Sequence, residues 1–164
     1  MTHAISLLVE NHQGVLARIS GLFSGRGYNL ESLTVGPTLD PTVSRITLVC
    51  KGDDSIIEQI KKQLNKLVDI IKVVDMSERS SVDREMALIK ITAPPQQRGE
   101  ICQVADVFRS KVMDVAADTM VLEVTGAPEK INDFIAILQH YNILEIARSG
   151  LVSMERGKKL KQDS

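Results

Sequence analysis

The chain has 164 residues, of which 43% are hydrophobic and 25% are charged, and its formal net charge is -1. This length can bury the core of one domain or of two small ones, and the balanced charge argues against a nucleic acid or an anionic membrane as a partner. No apolar stretch approaches the roughly 20 residues that span a bilayer, and no basic region precedes a long apolar run, so we expect a cytoplasmic protein.

The first half of the chain begins with a β-rich strand, THAISLLVE, and continues as a helix. The helix has one apolar face, made of Val15, Ile19, Leu22 and Phe23. Gly25 and Gly27 are expected to end it. Two alternating strands, YNLESLTVG and VSRITLVCK, then surround the turn PTLDP, which predicts an antiparallel pair.

The next segment is the clearest helix, DDSIIEQIKKQLNKL, with Ser55 and Glu58 at the spacing of a capping box. A β-branched strand, VDIIKVVD, follows it. Residues 2 to 75 therefore predict the order β-α-β-β-α-β.

The second half repeats this order after a polar, serine-rich segment. REMALIKIT predicts a strand, and PPQQRGEICQVADVF a helix with prolines near its first turn. KVMDVA and TMVLEVT predict two strands, APEKINDFIAILQ a helix, and NILEIARSG the last strand. We expect domains at residues 1–76 and 84–150, a linker at 77–83, and a solvated tail at 151–164.

Each β-α-β-β-α-β unit predicts an α+β, ferredoxin-like fold, with two helices on one face of a four-stranded antiparallel sheet. A unit of about 70 residues has a marginal core, so pairing with another sheet would add burial. The second strand, YNLESLTVG, lies at a sheet edge in this topology and could pair with a second chain. We therefore expect an oligomer.

The strand-to-helix turn of the first unit is a candidate binding site. Backbone N–H groups at the start of a helix attract a carboxylate, and Gly14 would let one approach. Asn11 and Asn29 could offer amide groups to both ends of a zwitterion such as an α-amino acid. The residues alone also fit plain structural roles: an Asx turn or cap at Asn11, a turn glycine, and a residue after a helix C-cap at Asn29.

Signatures of catalysis are missing from the sequence. It has no GxSxG, P-loop, HxxxH or carboxylate-dyad motif, and GLFSGRG follows a helix instead of preceding one. His12 has no evident Ser, Cys or carboxylate partner and is expected to be solvated, and His3 and His140 look equally isolated. Cys50 and Cys102 lack metal or redox spacing, which predicts reduced thiols in the core. We expect no catalytic residue, no metal site and no cofactor in this chain.

A long contiguous segment, LLVENHQGVLARISGLFSGRGYNLESLTVGPTLDPTVSRIT, resembles the small regulatory subunits of acetolactate (acetohydroxyacid) synthase. The RGYN-x-ES-L-TV and DP-x-x-SR segments carry most of the resemblance. The second unit is similar to that family's C-terminal domain in length and topology and ends in a similar EIARSG.

This resemblance implies an ACT domain that dimerises and holds an amino-acid effector between the strand-to-helix loop of one chain and the second strand of its neighbour. Valine is the usual bacterial effector in the family, although leucine or isoleucine is also open. Asn11, Gly14 and Asn29 match the family's positions, and Val15 and Leu16 would bind the carboxylate through backbone amides. Leu33 and Val35 are further candidates, which could equally be sheet core.

The resemblance also implies a function without chemistry in this chain. A large catalytic subunit carrying thiamine diphosphate, Mg²⁺ and FAD would perform the condensation, and this chain would stimulate it and make it sensitive to valine in branched-chain amino-acid synthesis. The DP-x-x-SR segment around Arg45 and the second domain are candidate contacts for that subunit. A free-standing amino-acid sensor controlling transcription or another enzyme is the main alternative. An RNA-binding module and an independent enzyme have less support, since the chain has few aromatic residues and no catalytic motif.

Overall fold

A computed structural model describes residues 1–157 of the chain. The chain forms two compact units, one made of residues 1–82 and 151–157 and the other of residues 83–150. Both units are α+β, which confirms the predicted fold class. None of the helices within residues 1–157 has the length and apolar character needed to cross a membrane.

The first unit has the order β-α-β-β-α-β. Its elements are β1 (Thr2–Glu10), α1 (Val15–Arg26), β2 (Asn29–Pro37), β3 (Val43–Lys51), α2 (Asp54–Asn65) and β4 (Ile70–Asp75). The strands form an antiparallel sheet in the order β2-β3-β1-β4, so that β2 and β4 are its edges. A bulge between Leu30 and Ser32 interrupts the pairing of β2 with β3.

The core of this unit lies between one face of the sheet and the two helices. Its buried members include Ile5, Leu7, Val9, Val15, Ile19, Phe23, Ile46, Leu48, Ile57, Ile60 and Leu64. Alternate residues of β1 and β3 enter this core because side chains of a strand point to opposite faces. The intervening residues, such as Leu8 and Arg45, belong to the other face of the sheet.

The ends of the two helices differ in part from the prediction. Gly27 ends α1 in the left-handed region at φ 66°, whereas Gly25 lies inside the helix. The capping box predicted at Ser55 and Glu58 is wrong. The N-cap of α2 is Asp53, whose side chain accepts a hydrogen bond from the Ile56 amide at 2.9 Å.

The second unit repeats the order β-α-β-β-α-β. Its elements are β5 (Ser81–Thr92), α3 (Arg98–Val107), β6 (Lys111–Val115), β7 (Thr119–Gly126), α4 (Pro128–Leu138) and β8 (Ile143–Arg148). The sheet order is β6-β7-β5-β8. Pro94 and Pro95 lie at the start of a 3-10 turn, Pro95–Gln97, that precedes α3, so α3 begins later than the sequence suggested.

The EIARSG segment ties the end of β8 to β5. The Arg148 guanidinium donates to both carboxylate oxygens of the buried Glu85, at 2.6 and 2.9 Å, and also to Asn132 at 3.1 Å. The hydroxyl of Ser149 accepts from the Met86 amide at 3.0 Å. This motif therefore has a structural role in closing the second sheet.

The predicted linker and tail are more ordered than the sequence suggested. Met76–Glu78 forms a 3-10 turn, and β5 already begins at Ser81. Residues 152–155 of the expected tail form a further strand, β9 (Val152–Glu155), which pairs with β5. Residues 158–164 of that tail lie outside the described residues.

The two cysteines also differ from each other. Cys50 is buried as predicted, and burial raises the pKa of its thiol to about 11. Cys102 is exposed on α3, so its predicted place in the core is wrong. The period of α3 explains this, because Ile101 and Ala105 occupy the buried face.

Candidate functional site

A cleft of about 350 Å³ lies in the first unit, where α1 begins beside the sheet. The loop between β1 and α1, the first turn of α1, and the neighbouring parts of β2 and β3 form its walls. Five predicted site residues line it: Asn11, Gly14, Val15, Leu16 and Val35. The other two, Asn29 and Leu33, are not among its lining residues.

The start of α1 faces this cleft without a side-chain cap. Gly14 is the N-cap residue, and the first intrahelical bond runs from the Arg18 amide to the Gly14 carbonyl at 3.0 Å. The amides of Val15, Leu16 and Ala17 therefore precede any intrahelical bond. Such a helix start carries partial positive charge and can bind a carboxylate.

The backbone of Gly14 agrees with the turn role that the sequence offered beside ligand binding. Its φ is 85°, a left-handed conformation that strains other residues. A Cβ here would also lie 2.8 Å from Arg18 Nη1. The turn itself therefore favours glycine, whether or not a ligand is bound, and a Cβ would also displace the end of the Arg18 side chain.

Asn11 uses one of its two amide groups inside the protein. Its Nδ2 donates to the Pro41 carbonyl at 3.1 Å, and its backbone N–H donates to the Thr42 carbonyl at 2.7 Å. These bonds hold the β2–β3 turn against the end of β1. Within residues 1–157 the Asn11 Oδ1 atom has no hydrogen-bond donor, which leaves it as an acceptor for an ammonium group.

A charged network that the sequence did not reveal borders the cleft. His12 Nε2 lies 2.9 Å from Asp69 Oδ1 and 3.1 Å from Glu10 Oε2, so the expectation of an unpartnered histidine is wrong. Arg18 Nε donates to the buried Asp69 carboxylate at 2.5 Å. Pairing of β1 with β4 brings Asp69 here, which no local sequence pattern could indicate.

Two acceptors raise the pKa of His12 above its ordinary value: the Gln13 carbonyl first and the Glu10 carboxylate second. Ligand atoms of Glu10, His12 and Asp69 lie within 4.8 Å of one another, a spacing that a metal ion could use. Arg18 already neutralises Asp69, and His12 bonds to both carboxylates. Both carboxylates of the cluster therefore already have partners within the protein.

The remaining wall of the cleft is apolar apart from Ser44. Val9, Val15 and Ile46 are buried at its base, while Leu16 and Val35 remain 41% and 45% exposed. Val35 pairs with Ile46 across β2 and β3, so both side chains face α1. This wall suits a short branched hydrocarbon next to the polar helix start.

Asn29 lies at the opposite end of the sheet from the cleft. It pairs with Lys51, which pairs in turn with Thr2, whereas the cleft lies near Glu10 and Val43. Val35 follows Asn29 by six positions along β2, a distance of about 20 Å. Leu33 lies between them and packs partly into the core of its own unit. A single chain therefore does not bring Asn29 to the cleft.

Comparison with known protein families matches both halves of the chain. Residues 5–72 match a family model described as an AHAS small subunit-like ACT domain. Residues 84–157 match a model described as the small subunit of acetolactate synthase. Together the two matches cover most of the chain.

Relatives with curated descriptions are similar along nearly the whole length. A probable acetolactate synthase small subunit from Archaeoglobus fulgidus is 51% identical, with 97% of this chain and 99% of that one covered. An acetolactate synthase small subunit from Mycolicibacterium smegmatis is 50% identical, covering 95% and 92%. The crystal structure of the Thermotoga maritima acetolactate synthase small subunit is similar, with a TM-score of 0.87, 41% identity, and 97% and 99% coverage.

Proposed function

We infer the function from family membership: this chain belongs to the acetolactate synthase small subunits. These are the regulatory subunits of an enzyme whose large subunit performs the catalysis. We propose that it stimulates its large subunit and makes it sensitive to feedback inhibition by valine. The observation that carries the ligand part is the uncapped start of α1, which opens on a cleft with an apolar wall.

Each part of valine has a matching group in the cleft. The carboxylate would bind the amides of Val15 and Leu16, and the ammonium group would bind Asn11 Oδ1. The isopropyl group would lie against Leu16 and Val35. The cleft volume of about 350 Å³ falls within the range of small-molecule sites, roughly 300–1,000 Å³.

Two copies of the chain would be needed to complete this site. Strand β2 is at the edge of its sheet and can pair with a β2 strand of a second copy. Antiparallel pairing centred on Leu33 would put the second copy's Asn29 opposite Pro37, two residues beyond Val35. The homodimer would thereby bring Asn29 of one copy to the cleft of the other. We propose that residues 1–76 form the domain that dimerises and binds valine in this way.

Regulation would follow from thermodynamic linkage. Valine can lower activity only if it binds the less active state of the complex more tightly, with a coupling of about 1 to 3 kcal/mol in typical systems. Thiamine diphosphate, Mg²⁺ and FAD would belong to the large subunit in this proposal, and the complex would act in the cytoplasm.

Reconstitution with the large subunit tests the proposal. We expect the isolated chain to turn over no pyruvate, the large subunit to gain activity when the chain is added, and valine to inhibit the reconstituted enzyme. Leucine and isoleucine serve as matched ligands of different shape. Valine binding to the isolated chain without any stimulation of the large subunit would instead favour a free-standing sensor.

A further inference from the structure

A second depression lies on the face of the first unit's sheet that is opposite to α1 and α2. It has a volume of about 200 Å³, and its lining includes Ser6, Leu8, Arg45, Lys72, Val74 and Met154. We call it the rear depression. Pairing across the sheet places Leu8 between Arg45 on β3 and Lys72 on β4, so the two cations flank one apolar residue.

The charges of Arg45 and Lys72 are not neutralised within the described chain. Arg45 Nη1 donates to the Ser6 hydroxyl at 2.9 Å, which fixes the guanidinium at the rim of the depression. Among residues 1–157, neither cation forms an ion pair with a carboxylate. Glu155 also lines the depression, but its carboxylate pairs with Arg79 Nη1 at 3.3 Å and not with Arg45 or Lys72. A half-buried guanidinium with free donors is well suited to a carboxylate, whose geometry it matches.

The rear depression and the cleft share their walls. Ser44 and Ile46 line the cleft on one face of β3, while Arg45 between them lines the rear depression on the other. On β1, Val9 lines the cleft and Leu8 lines the rear depression. A shift of β1 or β3 would therefore move side chains in both the cleft and the rear depression, because the side chains of a strand alternate between the two faces.

Resting on the function proposed above, we propose that the rear depression receives an acidic side chain of the large subunit, and that β1 and β3 carry the coupling between this contact and effector binding. Two uncompensated cations provide charge complementarity to a carboxylate. Arginine is enriched among the residues that anchor interfaces, and Leu8, Val74 and Met154 would shield such an anchor from water.

The test is a double variant, Arg45→Gln with Lys72→Gln, assayed for binding to the large subunit. The matched control is Arg26→Gln with Lys62→Gln, which removes one arginine and one lysine from exposed positions on the helices. We expect the rear-depression variant to bind the large subunit at least tenfold more weakly and with a smaller dependence on salt. The control should bind like the wild type. Both variants, as isolated proteins, should bind valine as the wild type does.

Several outcomes would overturn the proposal. Unchanged affinity of the double variant for the large subunit would do so, and so would an equal loss in the control. Saturable binding of acetate to the wild type, lost in the double variant while association stays normal, would make the rear depression a small-anion site instead. If the double variant fails to fold, the single exposed change Lys72→Gln must still weaken association and its salt dependence. Failure of the wild type to stimulate the large subunit would refute the proposed function, and the docking proposal with it, whereas the outcomes above refute the docking proposal only.

Discussion

The pair of variants Gly14→Asp and Gly14→Asn separates charge from strain at the start of α1. Both place a side chain at φ 85° and a Cβ 2.8 Å from Arg18 Nη1, so both disturb the turn and the Arg18–Asp69 ion pair. We expect each to lower the free energy of unfolding by about 1 to 2 kcal/mol. Only the aspartate adds a negative charge.

The size of the charge effect follows from the geometry of the helix start. A carboxylate at position 14 would lie about 5 Å from a ligand carboxylate on the amides of Val15 and Leu16, and at an effective dielectric constant near 20 the two would repel by about 3 kcal/mol. Arg18 offsets part of this repulsion, so we expect valine to bind at least tenfold more weakly to Gly14→Asp than to Gly14→Asn.

Calorimetric titration of the two isolated variants with valine measures this difference, and urea unfolding measures the shared strain. The reasoning would be refuted if the two variants bound valine equally, or if Gly14→Asp retained wild-type inhibition in the reconstituted enzyme. Equal and large losses in both variants would mean that the turn, and not the charge at the helix start, controls binding.

Three further changes test other parts of the molecule. Because its folded pKa is raised, His12 contributes stability that is present below its ordinary pKa of 6.5 and is lost as pH rises through the higher folded pKa. Urea unfolding of the wild type between about pH 6 and pH 8 should therefore show a loss of stability that His12→Gln lacks, and identical pH profiles would contradict this. Arg148→Ala should lower the free energy of unfolding by about 2 kcal/mol, since it leaves the Glu85 carboxylate buried without its partner, whereas Arg148→Lys should cost less; equal costs would argue against the bidentate contact. Asn29→Ala should weaken valine binding by about 1 to 3 kcal/mol in calorimetry without changing the unfolding midpoint, and unchanged affinity would remove this residue from the site.

The fold could be predicted from the sequence because its helices and strands have clear and different apolar periods. The face of α4, with Ile131, Phe134 and Leu138, is apolar at helical spacing and is buried as expected. Errors arose where the local signals were ambiguous. The segment of residues 152–155 is short and ends in a polar residue, and it forms a strand because it pairs with β5.

The candidate site could be predicted only in part, because much of it depends on long-range pairing. The run from Asn11 to Leu16 is contiguous, and local chemistry was enough to find it. The His12–Asp69 contact forms because β1 lies beside β4, and no sequence pattern links the two residues. Asn29 has no contact with the cleft in a single chain, so its proposed role depends on a second copy.

A mixed dimer of Asn11→Ala and Asn29→Ala chains tests the shared site most directly. If one copy supplies Asn11 and the other Asn29, each variant alone forms two defective sites, whereas the mixed dimer regains one intact site. Calorimetry should then show one valine bound per mixed dimer with wild-type affinity, and weak binding to either variant alone. A mixed dimer that binds valine no better than its parents would contradict a site built from two chains.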